Sequence, residues 1–210
     1  MILIYHTSFD RPFDDAVFTA YLNELPTHIT QKILRFRRWQ DAHASLLGKL
    51  LLRQALKDSG LSCNLAELKY AANGRPYFEN APDFNISHAG DHVVCAFAAR
   101  GRVGVDIERI RPIDIEAFRK VFHDEEWNHI QSSADPRAAF FYYWAAKESV
   151  IKADGGGLNI PLRKIRIKDG EARLEGMAWY HKEVFLVEDY LLQVASDERP
   201  EDIRLKKVVF

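Results

Sequence analysis

The chain is poor in cysteine, in net charge and in long apolar runs, and each shortage removes a class of protein. Only Cys63 and Cys95 occur among 210 residues, at a spacing that fits no zinc pattern. Neither a structural zinc nor a disulfide framework follows, and reduced thiols in a cytoplasmic protein are the expectation. Formal net charge is −1, so no global field draws the chain to nucleic acid or to an acidic membrane. No run approaches the length of a membrane span. Residues 1–5 read as a first strand, not a signal peptide, and residues 208–210 carry no lipidation signal. The glycine run Gly155-Gly156-Gly157 lacks the Gly-Lys-Ser/Thr ending of a P-loop, which removes an ATPase reading. No linker rich in proline, glycine or serine separates two halves. A hydrophobic content of 47% therefore supplies one large core, or two small ones packed tightly together.

Organisation follows from the spacing of apolar residues and the breakers between them. Residues 14–25 read as a helix closed by Pro26. A second helical region opens near Thr27 and runs on through 41–56, where apolar density marks a buried helix stopped by Ser59-Gly60. Residues 68–70 are extended before an Asn73-Gly74-Arg75-Pro76 turn. Strands follow at 84–87 and 92–99, the second apolar on both faces and so central in its sheet. Residues 100–102 turn the chain, and 103–108 is expected to return beside 92–99 as a hairpin. A helix at about 115–122, a long aromatic helix at 136–152 and a meander at 165–167, 172–174, 184–187 and 190–195 complete the reading. Each half holds one long buried helix that stops at Gly-Leu and leads into strands, a weak sign of internal duplication.

Two segments carry chemistry. In Gly104-Val105-Asp106-Ile107-Glu108 the acids are two apart in a strand, so both point to one face and repel unless a cation lies between them. Solvated acids on a sheet edge are the plain alternative. In the helix, Trp144, Glu148 and Lys152 fall at i, i+4 and i+8 along one stripe, with Lys147 beside it. A surface salt bridge would share that spacing. However, residues 140–144 are aromatic all round, which puts this helix inside, where unpaired charge is costly. Three acids able to converge with two cations suggest a divalent metal on a phosphorylated ligand. An oxygen-only donor set favours magnesium before manganese.

Other residues leave alternatives open. Ser87-His88 ends a strand, where a histidine is as often a hydrogen-bonded loop residue as a ligand. Arg75, held in a rigid turn, binds phosphate or caps the loop. Lys32, Arg35, Arg37, Arg38, Lys49, Arg53 and Lys57, opposed only by Asp41, form a solvated helix face or an anion-binding edge.

Taken together these residues resemble the 4′-phosphopantetheinyl transferases, in the larger type that activates surfactin-like peptide synthetases. Asn73-Gly74-Arg75-Pro76-Tyr77 is similar to the family's G-[KR]-P turn, and Phe84-Asn85-Ile86-Ser87-His88 to its FNISH strand. Residues 104–108 are similar to its G-[IV]-D-x-E, and 144–158 to its W-x-x-K-E-S-x-x-K-x-x-G-x-G-L. The segment 41–48 is similar to part of the family's first half, so the resemblance covers nearly the whole chain.

The resemblance implies an α+β fold of two similar α+β subdomains related by a pseudo-twofold axis. Each would pack a long helix on a small, mainly antiparallel sheet. Residues 1–102 would form the nucleotide side of the cleft and 103–210 the metal and phosphate site. Asp106, Glu108 and Glu148 would hold magnesium on the pyrophosphate of coenzyme A. Lys147 and Lys152 would neutralise the phosphates. Arg75, Ser87 and His88 would bind the nucleotide and its 3′-phosphate, and Ser45 and Lys32 fall at further cofactor-contact positions. The implied reaction moves the 4′-phosphopantetheine arm to a serine of an apo carrier protein and releases 3′,5′-ADP, with Glu148 as base and Lys152 as its catalytic partner. Ile29, Ala44 and Gly156 stand where relatives often carry basic residues, which shifts weight onto Arg75, His88 and Lys152.

Carrier docking is a separate expectation. Arg109, Arg111, Arg119 and Lys120 accompany Ile113, Phe118 and Phe122, either as a basic rim on an apolar patch or as an ordinary amphipathic helix with its apolar face in the core. The competing functions are a transferase dedicated to fatty-acid acyl carrier protein and a coenzyme A-binding protein without turnover. A monomer is expected.

Overall fold

The computed structural model describes residues 1–61, 64–79 and 81–210, which leaves Cys63 outside the described residues. A first strand, β1 (Ile2–Ser8), leads into two short helices, α1 (Asp15–Asn23) and α2 (Thr27–Ile33). The long α3 (Trp39–Asp58) follows. The helical region expected to run on from Thr27 is thus broken at residues 34–38. Two-residue strands β2 (Lys69–Tyr70) and β3 (Pro76–Tyr77) flank the Asn73 turn, and β4 (Asp83–Ala89), β5 (His92–Ala98) and β6 (Val103–Arg109) follow. Residues 115–121 form a 3₁₀ helix, then come α4 (Asp124–Ser132) and α5 (Pro136–Asp154). The chain ends in β7 (Arg166–Lys168), β8 (Glu171–Leu174), β9 (Met177–Glu183), β10 (Tyr190–Ser196) and β11 (Ile203–Lys207). The third strand of the meander is therefore β9 and not 184–187.

Two larger sheets result, in the orders β11-β1-β5-β4 and β6-β10-β9-β8-β7, beside the small two-stranded pairing of β2 with β3. All pairings are antiparallel except β1 with β11. The expected hairpin of β5 with β6 does not form. Both edges of β5 are taken by β1 and β4, so β6 starts the second sheet and pairs with β10 instead. The final strand returns to the first sheet, from Ile2 opposite Ile203 to His6 opposite Lys207.

Alternation along the strands then builds four layers. Val93, Cys95 and Phe97 of β5 pack with Leu46, Leu50 and Leu51 of α3. Their neighbours Val94, Ala96 and Ala98 pack with Val105, Ile107 and Val194 of the second sheet. Ala146, Val150 and Ala153 of α5 cover the far face of that sheet, with Trp179 and Ala195. The order is helix, sheet, sheet, helix, a mixed α+β fold with one long helix outside each sheet. β5 is apolar on both faces because both are covered. Cys95 is fully enclosed, and burial pushes its thiol up to about 12, which makes it inert. Among the described residues no helix is long and apolar enough to cross a membrane.

Candidate active site

The two acids of β6 share the face that α5 covers, because Val105 and Ile107 are used on the other face. α5 can lie this close because residue 104 is glycine. A Cβ there would stand 2.0 Å from the Ser149 carbonyl oxygen and 2.4 Å from the Ala153 nitrogen. The helix is fixed at both ends. Asp135 accepts the N–H groups of Arg137 and Ala138 at 3.0 Å, Pro136 opens the first turn, and Gly155 ends it at φ 81°.

Asp106 is 4% exposed. Its Oδ1 takes the Lys152 ammonium at 2.5 Å and the Ser87 hydroxyl at 3.2 Å, and Lys152 also donates to Ser87 Oγ at 2.9 Å. Its Oδ2 is buried with no hydrogen-bond partner among the described residues. Burial pushes the Asp106 carboxyl up against the pull of Lys152. Glu108 accepts from the Trp144 indole at 3.1 Å. Burial and then the Asp106 charge push Glu108 up to about 7. Glu148 is raised by the same causes in the same order. The Asp106 charge thus makes both glutamates harder to ionise, which is the signature of carboxylates collected without enough positive charge.

The structure brings Asp106, Glu108, Glu148, Lys152 and Ser87 together, but not as a finished metal cage. Among the described residues no three His, Cys, Asp or Glu side chains stand ready to ligate one ion. Lys152 supplies the cation in their place. The donor set nonetheless fits a hard divalent ion: oxygen ligands, an orphaned carboxylate oxygen, and two further acids that lack compensation.

Other expected residues lie elsewhere. Lys147 projects from α5 away from the acids. Its Nζ is enclosed (0% exposed side chain), paired with Glu126 at 2.9 Å and donating to the carbonyls of Leu162 at 3.3 Å and Ile165 at 2.5 Å. No face of that ammonium is open to a phosphate. Arg75 is also engaged within the protein, with Asp83, Val103 and Lys152. His88 is exposed at the end of β4. Desolvation first and Lys152 second hold its imidazole below the usual range. Ser45 is half-buried on α3, and Lys32 lies across the Tyr70 ring at 3.4 Å. Lys49, one helical turn beyond Ser45, is buried enough to lower its ammonium below the usual range, with Lys32 as a like-charged neighbour. The basic run is thus not wholly a solvated face.

A further pattern went unread in the sequence. β4 and β6 are the facing edges of the two sheets, and β6 has backbone donors without a strand to receive them. Three side chains of β4, at alternate positions, take their place. Asp83 accepts the N–H of Val103 at 2.8 Å, Asn85 that of Val105 at 3.0 Å, and Ser87 that of Ile107 at 3.4 Å. The spacing Asp-x-Asn-x-Ser in a strand was the available signal, since polar residues two apart share a face.

Beside Glu108 opens a cleft of about 690 Å³, lined among others by Phe9, Arg38, Trp39, His88 and Arg111. Of the expected docking residues, Arg109 and Arg111 line this cleft. Phe122 is fully buried and Phe118 packs on Phe140 and Trp144, so these aromatics belong to the core.

Known proteins share this arrangement of sequence. A family model described as 4′-phosphopantetheinyl transferase superfamily matches residues 102–195, and one described as 4′-phosphopantetheinyl transferase, N-terminal, matches 11–100. The chain is 31% identical to the 4′-phosphopantetheinyl transferase Sfp of Bacillus subtilis, over 82% of this chain and 80% of that protein. It is 34% identical to the 4′-phosphopantetheinyl transferase gsp of Aneurinibacillus migulanus, over 82% and 74%. The human L-aminoadipate-semialdehyde dehydrogenase-phosphopantetheinyl transferase is 29% identical over 74% of this chain but only 57% of its own length.

Proposed function

The chain belongs to the 4′-phosphopantetheinyl transferase family and is an enzyme of that type; from that premise we propose that it loads apo carrier proteins from coenzyme A in a magnesium-dependent reaction. A serine hydroxyl of the carrier attacks the β-phosphorus of coenzyme A. A bond forms between the serine oxygen and that phosphorus, the pyrophosphate bridge breaks, and 3′,5′-ADP leaves.

One observation carries the reading. Asp106 keeps a buried oxygen without a partner among the described residues, while Glu108 and Glu148 are held above their ordinary range beside it. Asp106, Glu108 and Glu148 would hold the magnesium, which when bound supplies a Lewis acid for the phosphoryl oxygens. Lys152 offsets negative charge on the phosphates, and Ser87 keeps its ammonium in place. Glu148, which burial and then the Asp106 charge hold above the ordinary carboxylate range, receives the serine proton as its carboxylate. Ser45, Lys32 and His88 face the nucleotide on the first half of the chain, residues 1–102, and the phosphate chemistry belongs to 103–210. The carrier serine enters by the cleft beside Glu108, past Arg111. The enzyme acts as a monomer in the cytoplasm.

The test weighs an apo carrier protein after incubation with this protein, coenzyme A and magnesium. A gain of one phosphopantetheine is expected, and its absence on several different carriers would sink the proposal. Glu148→Gln is expected to lower turnover by about 100-fold or more with an unchanged melting temperature.

A further inference from the structure

The Asn73 turn presents Arg75 to the junction of the two halves. Ala71 accepts the Gly74 N–H at 2.8 Å, the Asn73 side chain accepts the Arg75 N–H at 3.1 Å, and Gly74 takes φ +86°, a conformation that favours glycine. From this turn the guanidinium reaches three separate elements. Nη1 and Nη2 form a fork on Asp83 of β4 at 3.0 and 2.7 Å. Nη2 also donates to the Val103 carbonyl of β6 at 3.1 Å, and Nε to the Lys152 carbonyl of α5 at 3.0 Å. A guanidinium has about five N–H donors, and these four bonds leave little of it for a ligand. Both side chains of the fork are only 16% exposed.

We propose that Arg75 is a positioning residue for the transfer reaction and not a reader of the nucleotide phosphate. It sets the register between β6 and α5, and so the place of the Lys152 ammonium relative to Asp106. Its contacts form one closed circuit. Asp83, held by the fork, accepts the N–H of Val103 at the start of the metal-facing strand. Lys152 is held at its carbonyl by Arg75 and at its ammonium by Asp106 and Ser87. The guanidinium also sits at the C-terminal end of α5, where a cation meets the negative end of the helix dipole. Gly155 permits this approach, since a Cβ there would stand 3.0 Å from Arg75 Cδ. Arg102 secures the carbonyl of Asp154 in the same last turn.

Lysine separates the two roles. A lysine meets a phosphate as a point charge but cannot span Asp83, Val103 and Lys152 together. Because the inference rests on the transferase reading, the experiment begins with the unaltered protein. Turnover there tests the reading, and the variants test Arg75. Initial rates are measured for Arg75→Lys, Arg75→Gln and Asp83→Asn with coenzyme A and with 3′-dephospho-coenzyme A. Affinity for 3′,5′-ADP is measured by calorimetry. All three variants are expected to lose about tenfold to a hundredfold in kcat, equally with both donors, with the affinity for 3′,5′-ADP unchanged. Near-normal rates in Arg75→Lys, or loss of preference for the 3′-phosphorylated donor in Arg75→Gln, would overturn the proposal and return Arg75 to the phosphate. Should Arg75→Gln fail to fold, Arg75→Lys and Asp83→Asn decide the matter between them.

Discussion

Lys152 holds its ammonium 2.5 Å from Asp106 Oδ1, and the second oxygen of that carboxylate is buried with no partner among the described residues. Half of the carboxylate is neutralised from α5 and half waits for charge. Removing Lys152 strands the whole of it. Lys152→Met is expected to cost about 2–3 kcal/mol, below the largest values for buried pairs because Lys152 keeps 27% of its side chain exposed. Urea denaturation measures this. Asp106→Asn in the same chain should restore most of the loss, while transfer stays absent in both.

Lys147 is a different kind of lysine despite being five residues away. Its partner Glu126 also accepts the backbone N–H groups of His123 and Ile167, each at 2.9 Å. Lys147→Met should therefore cost about 3–5 kcal/mol by leaving Glu126 charged and enclosed. Pairing it with Glu126→Gln should recover part of that stability, and KM for coenzyme A should match the unaltered protein. A raised KM in a stable double variant would place Lys147 on the phosphates after all.

Glu108 makes the metal-free protein sensitive to alkali. Its folded-state pKa, about 7, lies above the ordinary carboxylate value. A raised carboxyl contributes stability that is complete below the unfolded pKa and is lost as pH rises through the folded one. Melting temperature should therefore fall between about pH 5 and about pH 8 without divalent cation, and Glu108→Gln should flatten that fall. Saturating magnesium should flatten it too, because the ion supplies the missing charge.

Gly104 sets the distance between strand and helix. Gly104→Ala would drive a methyl group into the backbone of Ser149 and Ala153, which cannot swing aside as a side chain can. The variant should be expressed poorly or melt well below the parent in a thermal scan. Full stability would mean that α5 is free to lift from β6.

Much of the site was legible because its signals are local. Alternation put Asp106 and Glu108 on one face, and helical spacing put Glu148 and Lys152 on one stripe; both hold. The same local rules missed the strand partner of β6. A hairpin is the nearest solution for two consecutive strands, but β1 and β4 already occupied both edges of β5. Strand β11 was likewise unread, since its partner lies at the opposite end of the chain.

The sequence by itself determined which residues are acidic, which face each one takes on its own strand or helix, and where α5 must end. Tertiary structure alone decided how the cations were divided. Lys147 and Lys152 stand on the same helix, yet one meets Glu126 in the core and the other meets Asp106 on β6. Arg75 meets Asp83 and the carbonyls of two other elements. Charge in a buried place is settled by the nearest opposite charge in space, and that neighbour can come from any part of the chain.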